Sequence, residues 1–309
     1  MRNQHKKKRH IFRNSVLILL VLLIAGGGFA YANYRNSLKE ARSDQNLPDK
    51  SDITFNGEKA EDLNDVNILF IGSDSRGDDQ GRSDSLMIAH YDSKSKQPKL
   101  ISLMRDMYVD IPGYDKDKIN AAYSYGGPEL LRKTISENFG IGIEYFVIVD
   151  FDSFPKIIDT LLPDGVQIDA EKDMSEYIEA SIKKGPQKMD GETLLQYARF
   201  RHDAESDFGR VRRQQQVLNA VAEQGVKVTN LTKLPSVLGK IEGYSVTNLP
   251  SSLLLSAGTD FVLGKTKPIE TLTLPVEGSW ENGYYEHAGS VLEINTAKNK
   301  TELNKFLED

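Results

Sequence analysis

The stretch 195-LQYARFRHDAESDFGRVRRQQQ-216 places five arginines, Arg199, Arg201, Arg210, Arg212 and Arg213, within a short span of an otherwise acidic chain. Read as a helix from Phe208, the run puts Arg210, Arg213, Gln214 and Val217 at i, i+3, i+4 and i+7, hence on one face, and turns Arg212 away. Arg199 and Arg201 close the preceding helix and point to one side if the chain is extended there. Two elements can therefore aim four guanidiniums at one spot. Guanidinium forks match phosphate oxygens bidentately and stay charged, so the pattern suits a phosphate or pyrophosphate ligand. A solvated helix face laced with salt bridges would use the same residues. Asp203, Glu205 and Asp207 lie between the arginines, and Asp207 is placed to orient Arg210.

Three further blocks carry polar chemistry. The segment 72-GSDSRGDDQGRSDS-85 follows an apolar run, where α/β sheets place ligand sites. Asp74 and Asp84 can reach one metal ion, and oxygen donors without nearby His or Cys favour magnesium or a similar divalent cation. A polar surface loop is the plainer reading, and Asp78 and Asp79 fit it. In 101-ISLMRDMYVDIPG-113 the pair Arg105-Asp106 interrupts an apolar run, as a catalytic pair or a structural ion pair would. In 116-KDKINAAYSYGGPELL-131, Lys118 is a candidate phosphate partner, and Tyr123 and Tyr125 line a pocket or pack. The five histidines lack metal-ligand spacing, and the chain has no Gly-x-Ser-x-Gly elbow, Walker loop or dinucleotide fingerprint.

The elements that must position these residues alternate. Apolar runs predict strands at 66–72, 86–92, 99–104, 144–151, 165–170, 269–278 and 289–295, with 107–113 extended. Helices are predicted over 128–140, with proline first and glycine as its stop, and over 152–162, 190–200, 208–225, 231–242, 250–263 and 298–309. The interleaving predicts an α/β fold, a three-layer α/β/α sandwich with a mixed central sheet.

The amino terminus adds a location. Residues 1–14 hold Arg2, Lys6, Lys7, Lys8, Arg9 and Arg13 and no acidic residue. The uncharged run 16-VLILLVLLIAGGGFAYA-32 would span roughly 26 Å as a helix, close to the bilayer core once a neighbour is added. The expected organisation is a cytoplasmic basic tail over 1–14, one transmembrane helix over 15–32, a stem over 33–65, and an extracytoplasmic catalytic domain over 66–309. A cleaved signal peptide ending near Ala30-Tyr31-Ala32 would export the same region. The chain lacks cysteine, so an exported domain would hold together by its core alone. Beyond residue 14 it carries 33 Lys and Arg against 45 Asp and Glu, net −12, a poor match for nucleic acid.

Taken together and in order, 67-NILFIGSDSR-76 with 82-RSDS-85, 101-ISLMRDMYVDIPG-113, 118-KINAAYSYGG-127 and 197-YARFRHDAESDFGRVRRQQQ-216 resemble the LytR–CpsA–Psr family of cell-wall glycopolymer ligases. The resemblance spans roughly Val66 to Gln224. It implies a membrane-tethered phosphotransferase that moves a glycopolymer, of the wall teichoic acid or capsular polysaccharide type, from a polyprenyl-pyrophosphate carrier to a muramic acid hydroxyl of peptidoglycan. It further implies magnesium at Asp74 and Asp84, and pyrophosphate binding by Arg105, Arg199, Arg201, Arg210 and Gln214, with Arg213 and Lys118 as additions. Asp106 is the candidate base. The family often has proline where this chain has Met104. A polyprenyl-pyrophosphate hydrolase and a non-catalytic lipid-binding regulator stay open as alternatives.

Overall fold

The computed structural model describes residues 26–44, 50–58, 65–73, 83–92, 94–203, 205–225 and 233–308. Among these, one sheet runs in the order β10 (Glu270–Leu274), β3 (Lys99–Leu103), β2 (Ser83–Asp92), β1 (Asp65–Ser73), β6 (Tyr145–Asp150), β9 (Val246–Thr247). The sheet is mixed: β1 pairs parallel with β6 and antiparallel with β2, and β10 pairs parallel with β3. Register aligns the apolar positions in rows, with Leu69 opposite Ile88 and Ile88 opposite Ile101, and Ile71 opposite Leu86 and Leu86 opposite Leu103. On this face they pack under α2 (Ala121–Phe139) and α8 (Thr296–Glu308) through Leu131, Ile135, Phe139 and Leu303, all buried.

The opposite face is more polar. It receives α5 (Ser206–Gly225), whose Gln215 Nε2 donates to Ser102 Oγ and Thr273 Oγ1, each at 2.9 Å. Helices thus cover both faces of a mixed sheet, in line with the α/β expectation. The single-sheet expectation needs extending. The extended run after Met107 leaves the central sheet as β4 (Met107–Val109) and pairs with β5 (Asp117–Lys118) and β12 (Gly289–Ile294), beside β11 (Trp280–Tyr285). A separate hairpin joins β7 (Val166–Ala170) to β8 (Gly185–Met189). It shares a second core with α3 (Ser153–Leu161) and α4 (Gly191–Arg199), through Ile158, Ile168, Met189 and Leu194.

Helix α2 starts earlier than Pro128. Its first turns run from Ala121, break at Gly126 and Gly127, and resume at Pro128. Gly127 sits at φ 64°, ψ −160°, a region open essentially to glycine alone. Just beyond the break, the Glu129 carboxylate accepts from the Asn56 backbone N–H at 2.8 Å and from Arg132 Nε and Nη2 at 3.0 Å. Burial alone would raise its pKa. The Arg132 guanidinium and the Asn56 donors outweigh burial and lower it from 4.5 to about 2. A depressed carboxylate contributes stability that is complete above its unfolded pKa and disappears as pH falls through the folded value. Between pH 5 and pH 2 the protein is expected to lose about 3 kcal/mol from this group. Glu129→Gln should remove that share of the acid sensitivity, as measured by urea unfolding across this window.

Residues 26–43 form a helix, α1. Its buried positions Tyr34, Leu38 and Ala41 share one face and lie against α6 (Leu234–Gly243). Two glycines permit the contact: a Cβ at Gly239 would fall 2.3 Å from the Tyr34 carbonyl oxygen, and one at Gly243 would fall 2.5 Å from Ala41 Cβ. Ser37 and Ser236 hydroxyls meet at 2.7 Å, and Tyr34 Oη donates to Glu242 and lies 3.0 Å from the Ser251 hydroxyl on α7 (Ser251–Val262). Part of the expected stem is therefore packed on the domain. The basic tail and the apolar run up to residue 25 lie outside the described residues. Among the described residues no helix is long and apolar enough to cross a membrane.

Candidate active site

A cleft of about 1020 Å³ opens where the start of β2, the turn after β3, the start of α2, the end of α4 and the first turns of α5 converge. Local sequence explains each contribution. Asp190 caps α4, its Oδ1 accepting from the Thr193 N–H at 2.9 Å, and this fixes the helix that delivers Arg199. Phe200 leaves the helix at φ −57°, ψ 130°, so the next residue, Arg201, is carried outward. Arg105 and Asp106 sit in the tight turn after β3, where the Met107 N–H donates to the Met104 carbonyl at 3.2 Å. The apolar row of β3 ends there, and Met104 itself is buried.

The cleft brings together Asp84, Arg105, Asp106, Lys118, Arg199, Arg201, Arg210 and Gln214. Arg105 stands at the centre, with Nη1 donating to Asp84 Oδ1, Nε 3.7 Å from Asp106, and Nη2 3.6 Å from Asp207. Lys118 Nζ reaches the other oxygen of Asp106 at 2.9 Å. Arg210 is buried and donates to Asp207 Oδ2 at 3.0 Å and to the Asp84 carbonyl at 3.1 Å, so Asp207 does orient it. Gln214 Nε2 donates to Ser85 Oγ at 2.7 Å. Arg199 lies over the Phe151 ring, 4.0 Å from its centroid.

The electrostatics favour an anion. Burial pulls Arg210 below the ordinary guanidinium value, and repulsion from Arg105 and Arg201 adds to this against the pull of Asp207. Burial would lower Arg105 too, but Asp207, Asp84 and Asp106 together hold it above its ordinary value. Burial pushes the Asp207 carboxyl up despite Arg210 and Arg105. Among the described residues, neither Arg199 nor Arg201 forms an ion pair with a carboxylate. Among the described residues no carboxylate pairs off the positive charge they bring to the cleft.

Arg213 does not join this wall, against the shared-face reading. Its side chain is fully buried on the far side of the Phe200 turn, donating to the Phe200 carbonyl, to Asp203 Oδ2 at 3.1 Å and to Glu171 Oε2 at 3.5 Å. Arg213 lies about 60° round the helix from Arg210 on one side and Gln214 about 40° on the other, so the two point about 100° apart and only Gln214 faces the cleft. Arg212 turns away as expected and pairs with Glu171 and Glu205. Asp74 lies in 74–82, outside the described residues. Sequence spacing also gave no sign of Phe151, Tyr177 or His202 as cleft residues, because none belongs to a periodic run that faces it.

Of the two carboxylates expected to hold a divalent cation, only Asp84 lies among the described residues. Asp84 offers carboxylate oxygens on the cleft wall beside a cation, the Arg105 guanidinium. Among the described residues no group of three His, Cys, Asp or Glu could hold a metal alone. Magnesium commonly takes one or two carboxylates and completes its shell with substrate phosphates and water.

Sequence and fold similarity to known proteins identify the family. The family model described as the LytR_cpsA_psr family matches residues 29–303. The chain is 47% identical over 255 residues to "Regulatory protein MsrR" of Staphylococcus aureus (strain COL), covering 82% of this chain and 78% of that protein. It is 30% identical over 310 residues to "Polyisoprenyl-teichoic acid--peptidoglycan teichoic acid transferase TagU" of Bacillus subtilis (strain 168), covering 99% of this chain and all of that one (100%). The crystal structure of B. subtilis TagV superposes with a TM-score of 0.69 at 32% identity, over 80% of this chain and 97% of that one. A family model spanning nearly the whole chain, relatives aligned end to end and a shared fold leave one conclusion: the chain belongs to the LytR_cpsA_psr family.

Proposed function

We propose that the protein is a phosphotransferase that moves a glycopolymer, of the wall teichoic acid or capsular polysaccharide type, from a polyprenyl-pyrophosphate carrier to peptidoglycan. The observation that carries this reading is the convergence of Arg105, Lys118, Arg199, Arg201, Arg210 and Gln214 on one cleft of an acidic chain. A pyrophosphate diester carries two negative charges, and phosphoryl transfer is catalysed mainly by placing and neutralising such charge. TagU, aligned over nearly all of this chain, bears the matching donor and acceptor in its name.

In the reaction, a muramic acid hydroxyl oxygen attacks the phosphorus that carries the polymer. The bond from that phosphorus to the bridging oxygen breaks, and polyprenyl phosphate leaves with the electron pair. Arg199, Arg201 and Arg210 hold the phosphate oxygens. Arg105 links the phosphate site to Asp106, which takes the hydroxyl proton. The Asp106 carboxylate is held between Lys118 and Arg105, and in a loose transition state the hydroxyl proton is lost late. A magnesium ion held by Asp84 and Asp74 would polarise the phosphorus and offset charge on the leaving phosphate. The basic tail and apolar run support a single-pass placement in the cell membrane, with the amino terminus cytoplasmic and the catalytic domain outside.

The test supplies the purified protein with a synthetic polyprenyl-pyrophosphate saccharide, uncrosslinked peptidoglycan oligomers and magnesium, and follows products by mass spectrometry. A phosphodiester adduct is expected. Lipid phosphate released without adduct would show a hydrolase, and no turnover would show a binding module. Asp106→Asn is expected to slow adduct formation about 10²-fold or more while leaving donor affinity within about twofold. Equal losses in both would remove Asp106 from the proton path.

A further inference from the structure

One lip of the cleft carries a feature that pyrophosphate binding does not use. Tyr177 and His202 stack face to face, ring centroids 3.8 Å apart and planes 19° apart, and both line the cleft. Tyr177 is 77% exposed, and its backbone lies at φ 61°. A bulky residue is rarely found in this left-handed region, where it costs stability that its side chain does not recover by burial. Strain held at an exposed aromatic residue is a mark of function rather than of packing. The neighbours are polar. Glu179 and Gln196 line the cleft beside the stack, and Arg201 immediately precedes His202.

We propose that Tyr177 and His202 form a saccharide platform, on which a pyranose ring of the polymer or the acceptor stacks. The inference rests on the transferase reading and names a part of its substrate site. The negative face of an aromatic ring attracts the polarised C–H bonds on one face of a pyranose. Carboxylate and amide groups beside it, here Glu179 and Gln196, suit the ring hydroxyls. Arg201 puts the platform next to the phosphate site. A sugar joined to that phosphate would therefore reach the platform without a long spacer, as would an acceptor sugar attacking it.

The test compares wild type with Tyr177→Ala, Tyr177→Phe and Tyr177→Gly. Each is titrated with a polyprenyl-pyrophosphate saccharide, with the same lipid lacking sugar, and with peptidoglycan oligosaccharides. Tyr177→Ala is expected to weaken binding of one saccharide ligand three- to tenfold and to leave the sugar-free lipid unchanged. Tyr177→Phe should restore it, because the ring and not the hydroxyl makes the contact. The saccharide that responds identifies the ring on the platform as donor or acceptor. Tyr177→Gly relieves the backbone and should keep or raise the unfolding temperature while losing the same affinity. A purely structural tyrosine would not separate the two readouts. Unchanged affinity for both saccharides in Tyr177→Ala, with the sugar-free lipid still bound, overturns the platform alone. Failure of the sugar-free lipid to bind wild type overturns the pyrophosphate reading and the platform with it.

Discussion

Arg213→Ala is expected to lower unfolding stability by about 3 kcal/mol, measured by chemical denaturation. The side chain is fully buried, and its charge is balanced by Asp203 and Glu171. Removing one partner of a buried pair is costly because the remaining charge cannot return to water. Lys172, 2.9 Å from Asp203, retains part of the compensation and sets the effect toward the lower end. The same truncation removes the donor to the Phe200 carbonyl. Arg213→Lys keeps the charge but cannot serve the carbonyl and both carboxylates, so it should fall between. Donor affinity per folded molecule should change little. A variant of wild-type stability that no longer binds donor would place Arg213 in the substrate cluster after all.

Arg201→Ala should behave in the opposite way. Arg201 is exposed and, among the described residues, forms no ion pair, so its truncation is expected to shift stability by less than about 0.5 kcal/mol. Turnover should fall about 10²- to 10³-fold, the usual loss when one charge-stabilising donor leaves a transition state. Arg201→Lys should recover only part of this, because an ammonium cannot grip two phosphate oxygens in one plane. The readouts are single-turnover adduct formation and thermal unfolding of the same preparation. Full turnover in Arg201→Ala would detach the pyrophosphate reading from this residue.

Two arginines twelve residues apart in one motif thus have different work, and the sequence did not separate them. Helical spacing correctly grouped Arg210 with Gln214 and set Arg212 apart, because those positions depend on a single helix. Arg213 depended on the packing of α4 against α5, and its partner Glu171 lies 42 positions away. Strands such as 66–72 and 144–151 were legible because burial on the central sheet makes them continuously apolar. The two-residue strands β5 and β9 carry no periodic signal at all. The start of α2 was hidden because Gly126 and Gly127 break the helix just before Pro128, where the sequence reading began it. The aromatic lip at Tyr177 was silent for a related reason: its conformation is set by the hairpin and by His202, not by its neighbours in sequence.

The seating of α1 on Gly239 and Gly243 sets an angular phase. A helix delivers whatever precedes it at about 100° per residue, and Tyr34, Leu38 and Ala41 allow only one rotational setting against α6. The cleft therefore has a fixed azimuth relative to the chain entering at residue 26. One residue added between there and Tyr34 would swing the entering chain by more than a quarter turn around the helix axis, whereas seven would return it close to its original bearing. The direction in which the cleft looks is written into the length of a helix that supplies none of its arginines.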